Sequence, residues 1–312
     1  MKKILSFLLI LILAFSLIAC QAVKDEAERM MPDSMDGNVN NNTTNDNSGF
    51  RPGIAPDQPT GSIETPEFKV SDDMPCVSEY SKYSDTLYGY GFSKSEKGVV
   101  PSIGFYKTLL KDVNAVYVDE SGTKNIYLTF DEGYENGFTG AILDTLKAKK
   151  VPAAFFCTGD YLKRNNDLVK RMIDEGHIVG NHTWNHKSMP KVETDEEFKD
   201  ELKKIDDYLN ENFNYKVKYF RYPNGEFSEK SLARVNDMGY KTVFWSVAYK
   251  DWEKDVTKGT EHAVNEVCNH IHNGAIILLH AVSKDNSDAL GRIIDTLRNE
   301  GYEFKSLDSI TF

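Results

Sequence analysis

From about residue 88 onward, short apolar runs and helix-length segments take turns along the chain. NIYLTF (125–130) leads into a helical stretch through AILDTLKAKK, and VPAAFFC (151–157) into NDLVKRMIDEG. HIVGN (177–181) leads into TDEEFKDELKKIDDYLNENF, and VKYFR (217–221) into SEKSLARVNDMG. YKTVFWSV (240–247) precedes TEHAVNEVCNHIHNG, AIILLH (275–280) precedes SDALGRIIDTLRNEG, and YEFKSL closes the chain. Strict alternation of this kind implies parallel strands joined by right-handed crossovers. A closed barrel and an open sheet both satisfy it. About seven such units in about 225 residues favour a (β/α) barrel, complete or incomplete, which uses a few hundred residues.

In a parallel barrel the chemistry gathers at the C-terminal ends of the strands. The chemically capable residues fall there. Asp131 and Glu132 follow the first run, and His182 and His186 in NHTWNH follow the third. Arg221 ends the fourth, Asp251 and Trp252 come after the fifth, and His280 ends the sixth. A spacing of four would put both imidazoles on one face of a helical turn, a common arrangement for divalent metal ligands. Alone that pair is a weak signal. With a carboxylate delivered from another strand end it becomes an open two-histidine, one-carboxylate site, with room for water and substrate. A carboxylate beside a cation stays ionised and accepts a proton, and a histidine returns one near neutrality. The long charged segment 194–213 reads as a solvated helix face. His177, His262, His270 and His272 read as surface or structural residues.

The N-terminus is separate. Lys2 and Lys3 precede an apolar run over 4–19 that is shorter than the roughly 20 residues of a bilayer span. It fits a secretory signal. The run stops in LIAC, which resembles the lipobox of bacterial lipoproteins, so residues 1–20 are expected to be a signal with Cys20 as the lipidated N-terminus. Residues 21–87 carry GNVNNNTTNDNSG and RPGIAPDQPTG, and are expected to form a disordered acidic tether. This region holds 13 acidic and 5 basic side chains, so most of the net charge of −11 sits outside the domain at 88–312. An acidic chain excludes nucleic acid as a partner. Cys76, Cys157 and Cys268 have no metal-ligand spacing to one another, and buried free thiols are expected at the latter two.

The domain resembles the NodB-homology polysaccharide deacetylases, carbohydrate esterase family four. TFDEG, HTWNH, RYPNG, DW and LLH stand in the order of that family's five motifs. The resemblance implies a deformed (β/α) barrel that removes acetyl groups from sugars with a divalent metal: zinc first, with cobalt, manganese or magnesium as alternatives. Carried over by position, it implies Asp131 as general base, oriented by Arg221, and His280 as general acid, polarised by Asp251. It implies His182, His186 and Glu132 as metal ligands, although Glu132 stands where the family has Asp. It places Tyr222, Asn224, Trp252 and Leu278 against substrate, the last two walling the acetyl methyl and the Asn224 backbone near the oxyanion.

Five further stretches resemble one subgroup, the delta-lactam-biosynthetic muramic acid de-N-acetylases of spore cortex. These are YGYGF, GYENG, WNHKSMP, KDW and LLHAVSKDN. That subgroup tends to be basic at the position of Asn224, and Lys187, Lys250 or Lys284 could supply the charge for a lactyl carboxylate. The resulting expectation is a monomer tethered outside the cytoplasmic membrane and acting on peptidoglycan glycan strands. Deacetylation of N-acetylglucosamine or of a chitin- or xylan-type polymer remains a second reading. A wall-binding module crippled at Glu132 is a third.

Overall fold

The structure is a computed structural model that describes residues 79–254 and 256–312. The expected signal over 1–20 with Cys20, residues 21–78 of the expected tether, and Cys76 lie outside the described residues. The compact unit spans Ser78–Phe312, so it begins upstream of the expected boundary at 88.

In chain order, β1 (Tyr88–Gly89), α1 (Tyr106–Leu110) and β2 (Ala115–Val116) precede β3 (Asn125–Glu132). There follow α2 (Thr139–Lys149), β4 (Ala153–Cys157), α3 (Gly159–Arg164), α4 (Asn166–Asp174) and β5 (Ile178–Asn181). Next come α5 (Asp195–Phe213), β6 (Tyr219–Phe220), β7 (Glu226–Phe227), α6 (Glu229–Asp237) and β8 (Lys241–Val243). The chain ends with α7 (Thr260–Cys268), β9 (Ile276–His280), α8 (Lys284–Asn299) and β10 (Glu303–Phe304). Each of the seven expected runs contains a strand. The short elements β1, β2, β7, α1 and α3 were not legible, because pieces of two to six residues carry no measurable periodicity.

Every pairing in the main sheet is parallel, in the order β10–β3–β4–β5–β6–β8–β2, with β9 also on β3. β10 runs beside Asn125 and Ile126, and β9 beside Tyr127 to Asp131. A single parallel bridge, Val247 with Ile277, joins the chain after β8 to β9, so the sheet curls back on itself. This is the deformed (β/α) barrel that the family resemblance implies.

The pleat of β3 sorts its residues. Tyr127, Thr129 and Asp131 have Ile276, Leu278 and His280 as register partners and face the barrel interior. Interior layers below the rim come from Tyr127, Ala154, Phe156, Ile178, Tyr219, Val243 and Ile276. Ile126, Leu128 and Phe130 face the other way and pack with Ile142, Leu143 and Leu146 of α2. Burying each such side chain contributes about 1.5–3 kcal/mol. Polar groups at the strand ends are therefore held on a rigid, two-sided core.

Helix α5 shows how one face is committed. Thr194 caps its N-terminus by accepting from the Glu197 N–H, and Asp195, Glu196 and Glu197 suit the helix dipole. Lys203–Asp207 and Lys204–Asp200 pair across one turn in solvent. Phe198, Leu202, Ile205 and Leu209 face the core. Glu201 shares the buried face, which the solvated-face reading of this helix missed.

Candidate active site

Asp131 and Arg221 form the centre. Asp131 Oδ1 accepts from Arg221 Nη1 at 2.8 Å. Arg221 is fully buried; its Nε donates to the Val243 carbonyl at 2.9 Å and its Nη2 to the Phe244 carbonyl at 3.4 Å. Its guanidinium lies 4.2 Å above the Phe156 ring. Gly180 makes room for that ring, since a Cβ there would come within 2.5 Å of it. Burial alone would raise the Asp131 pKa, but the charge of Arg221, helped by His182 and His280, holds it below the usual carboxylate range. Asp131 is therefore ionised at neutral pH.

His182 and His186 come from the loop after β5, and not from a helical turn as their spacing suggested. Thr183 and His186 have φ of 64° and 54°, left-handed values that no α-helix contains. The loop still brings the rings 4.9 Å apart. His182 Nδ1 donates to the Arg221 carbonyl at 2.8 Å, which leaves Nε2 as a lone-pair donor. That nitrogen faces Asp131 Oδ2 across 3.6 Å. Burial, opposed by Asp131, brings the His182 pKa down to about 4. Burial also lowers that of His186. Two neutral imidazoles, His182 with its other nitrogen tied to a backbone carbonyl, are donors that suit a divalent cation of the zinc type, one fewer than the three protein ligands of a catalytic zinc site; among the described residues no group of three or more such ligands is assembled.

Glu132 does not join that set, contrary to expectation. The pleat turns it away from Asp131, onto the side of Leu128 and Phe130. It is fully buried, and neither carboxylate oxygen has a hydrogen-bond partner. Burial first, then the charges of Glu135 and Asp131, raise its pKa well above the normal value. Its charge bears on Cys157 and Tyr161, which belong to the helix-facing layer. The sequence put it beside Asp131, and in a strand adjacent residues point to opposite faces.

His280 is the register partner of Asp131 on the neighbouring strand. Its Nδ1–H donates to Asp251 Oδ1 at 2.7 Å, and its backbone N–H donates to Asp251 Oδ2 at 2.9 Å. Burial works against the imidazolium, but Asp251 outweighs it with support from Asp131, and the His280 pKa is raised. Asn286 braces the pair by donating to Asp251 Oδ2 at 2.5 Å and to the His280 carbonyl at 3.1 Å. Tyr249 in turn donates to Asn286 Oδ1.

The residues placed against substrate divide. Trp252 is half exposed and meets the His280 ring edge-on at 5.6 Å. Leu278 is buried two positions below His280 on the interior face. Asn224 is exposed at the turn after Arg221, with φ of 56°. Tyr222 is a correction: its ring is buried among Phe220, Phe227 and Phe244 and cannot reach substrate. Lys187 is paired with Glu197 and Glu201, Lys250 with Glu253 and Lys284 with Asp288.

Two supports were missed. Glu201 accepts from the Asn185 N–H at 2.9 Å and from its side-chain amide at 2.6 Å, which holds the His182–His186 loop in place. Gly159 donates to the Thr183 and Trp184 carbonyls, and a Cβ there would meet the Trp184 ring at 2.4 Å. The apolar face of α5, at Phe198, Leu202 and Ile205, was the signal that could have found Glu201, since its spacing falls on that face. Asn286 had a fainter one, six residues after His280 at the start of a helix.

The family model described as polysaccharide deacetylase matches residues 119–243. A protein of Geobacillus stearothermophilus described as an uncharacterized 30.6 kDa protein is 48% identical over 223 residues, covering 71% of this chain and 84% of its own length. The peptidoglycan-N-acetylmuramic acid deacetylase PdaA of Bacillus subtilis is 42% identical over 230 residues, covering 72% of this chain and 85% of that protein. The structure of Bacillus subtilis PdaA, a family 4 carbohydrate esterase, superposes with a TM-score of 0.71 at 40% identity, covering 73% of this chain and 97% of that one. Fold, the grouping of Asp131, Arg221 and His280 at the strand ends, and extended identity to these relatives agree: this chain belongs to the polysaccharide deacetylase family and is a hydrolase of amide bonds.

Proposed function

We propose that this protein removes the acetyl group from N-acetylmuramic acid residues of peptidoglycan, with a divalent metal held by His182 and His186. The observation that carries the chemistry is the register pair Asp131 and His280: a carboxylate whose pKa is held down by Arg221 and an imidazole whose pKa is raised by Asp251, side by side on adjacent strands. The identity to a muramic acid deacetylase supports the choice of sugar. When bound, the metal would supply Lewis acidity, making a water more acidic and polarising the acetyl carbonyl.

The chain's own groups do the rest. Asp131 takes a proton from the attacking water through the oxygen that Arg221 leaves free. Arg221 keeps that carboxylate charged and fixed. His280 delivers a proton to the departing amine, and Asp251 keeps the imidazole charged until then. The backbone N–H of Asn224 is the nearby candidate to hold the developing oxyanion, since Pro223 has none and that of Gly225 donates to the Tyr222 carbonyl. Trp252 and Leu278 offer apolar surface beside His280 for the acetyl methyl. The freed amine and the lactyl carboxyl of the same sugar could then close a lactam with loss of water, the step made in spore cortex. An export signal ending in Cys20 would place the enzyme on the outer membrane face, within reach of the wall.

Peptidoglycan with and without its stem peptides, digested and analysed by mass spectrometry, tests this. The expected result is acetate release from the peptide-free glycan, with the acetyl missing from muramic acid. A chelator should abolish release and added zinc should restore it. Loss from glucosamine alone would overturn the choice of sugar, and no acetate from either material would overturn the deacetylase reading.

A further inference from the structure

The YGYGF stretch has no part in the chemistry above, yet it is built onto the rim of the site. β1 pairs antiparallel with β7, setting Tyr88 against Phe227 and Gly89 against Glu226. The Tyr90 N–H donates to the Gly225 carbonyl at 2.9 Å, so this segment is fastened directly to the Asn224 turn. Tyr90 also donates its hydroxyl to the Trp245 carbonyl at 2.7 Å and meets the Trp245 ring at 5.1 Å. The Arg221 guanidinium also lies over the Trp245 ring, 5.6 Å from its centre. The connection from catalytic arginine to β1 is therefore two contacts long.

Against this segment packs Phe105, which presents aromatic surface to solvent. Phe105 is 57% exposed, more than Trp252 at 50%. It packs against Tyr88 at 5.3 Å and Tyr106 at 4.4 Å, and Tyr106 is anchored by donating its hydroxyl to the Gly89 carbonyl at 2.7 Å. Open space lies where side chains on Gly89 and Gly91 would stand. The result is a shallow shelf with aromatic rings fixed in position, continuous with the turn beside Arg221. Contiguous apolar surface at the edge of a site marks ligand contact more often than accident.

We propose that Phe105 and Tyr88 form a platform for sugars of the glycan strand beyond the residue being deacetylated. A glycan polymer must run past the reacting sugar on at least one side. Its ring faces are apolar and its rims are hydroxylated, which suits an exposed aromatic ring held in place by its neighbours. The proposal rests on the polysaccharide reading of the site and adds a chain-length preference to it.

Phe105→Ser and Phe105→Trp in the full chain test the platform. On long peptide-free glycan strands, Phe105→Ser should raise KM about tenfold with kcat unchanged. On the shortest oligosaccharide that is turned over it should change neither, and Phe105→Trp should behave as wild type. The thermal midpoint should stay within a degree or so, since the side chain is largely exposed. An equal effect on long and short substrates, or none, overturns the platform. Co-sedimentation with glycan strands keeps this separate from the catalytic reading. If wild type releases no acetate, that reading fails. Strand binding that Phe105→Ser weakens would still support the platform, and binding absent or indifferent to the substitution would sink it.

Discussion

Replacing Glu132 should stabilise the protein, although it stands at a motif position where the family carries a metal ligand. Both of its oxygens are buried and unpartnered, and its neighbours along the same strand face are Leu128 and Phe130. Methionine has similar length, no charge and enough freedom to fill an irregular space. An unsatisfied buried polar group costs about 1–3 kcal/mol, so Glu132→Met should add about 2 kcal/mol. For a domain of this size each kcal/mol moves the midpoint by about 2–4 °C, which predicts a rise of roughly 4–8 °C near neutral pH. The pH dependence supplies an independent check. The folded-state pKa of Glu132 is raised above its ordinary value of 4.5. The folded chain thus holds the proton after the unfolded chain has released it. Wild-type stability must fall as pH climbs above that value, by up to about 1.4 kcal/mol per pH unit, until Glu132 ionises in the fold. The advantage of Glu132→Met should accordingly be small at pH 5 and larger at pH 8. Calorimetric midpoints across that range, with bound zinc measured on the same samples, decide the matter. A lower midpoint together with loss of zinc in Glu132→Met, but not in wild type, would refute the placement of Glu132 among the helix-facing residues.

Three other outcomes follow from the same geometry. Asp251→Asn removes the charge that raises the His280 pKa, so the alkaline limb of the kcat/KM profile should move to lower pH and kcat should fall roughly 10²-fold; an unmoved limb would assign it to another group. Arg221→Leu leaves Asp131 buried without its cation and should cost about 3–5 kcal/mol, read as a lower urea midpoint. Gly159→Ala drives a methyl into Trp184, between the two histidines in sequence, and should cost about 1–3 kcal/mol while weakening zinc binding; unchanged zinc affinity would separate the loop from α3.

The alternation of apolar and helical segments was sufficient for a parallel sheet, because a strand covered on both faces must read as an unbroken apolar run, and the number of units favoured its curling into a barrel. The same alternation pointed to one end of the strands: Asp131 and His280 stand at the ends of β3 and β9, His182 and Arg221 just past β5 and β6, and Asp251 in the segment after β8, and the fold brings them to one rim. Their types fixed the chemistry they can do. Three matters were decided only by tertiary structure. The first is direction: Asp131 and Glu132 are equivalent in the sequence, and the pleat sends one to Arg221 and the other into a closed apolar layer. The second is loop conformation. The spacing of His182 and His186 suggested a helical turn, whereas the rings meet through left-handed backbone at Thr183 and His186, braced by Glu201 from a helix that seemed merely solvated. The third is charge state, since Asp131 lies below its normal pKa and His280 above only because Arg221 and Asp251, 90 and 29 residues away in sequence, arrive at hydrogen-bond distance. Local patterns specify which face of an element is apolar. The partner across the barrel that makes a buried charge tolerable is set by long-range packing, which no short stretch of sequence contains.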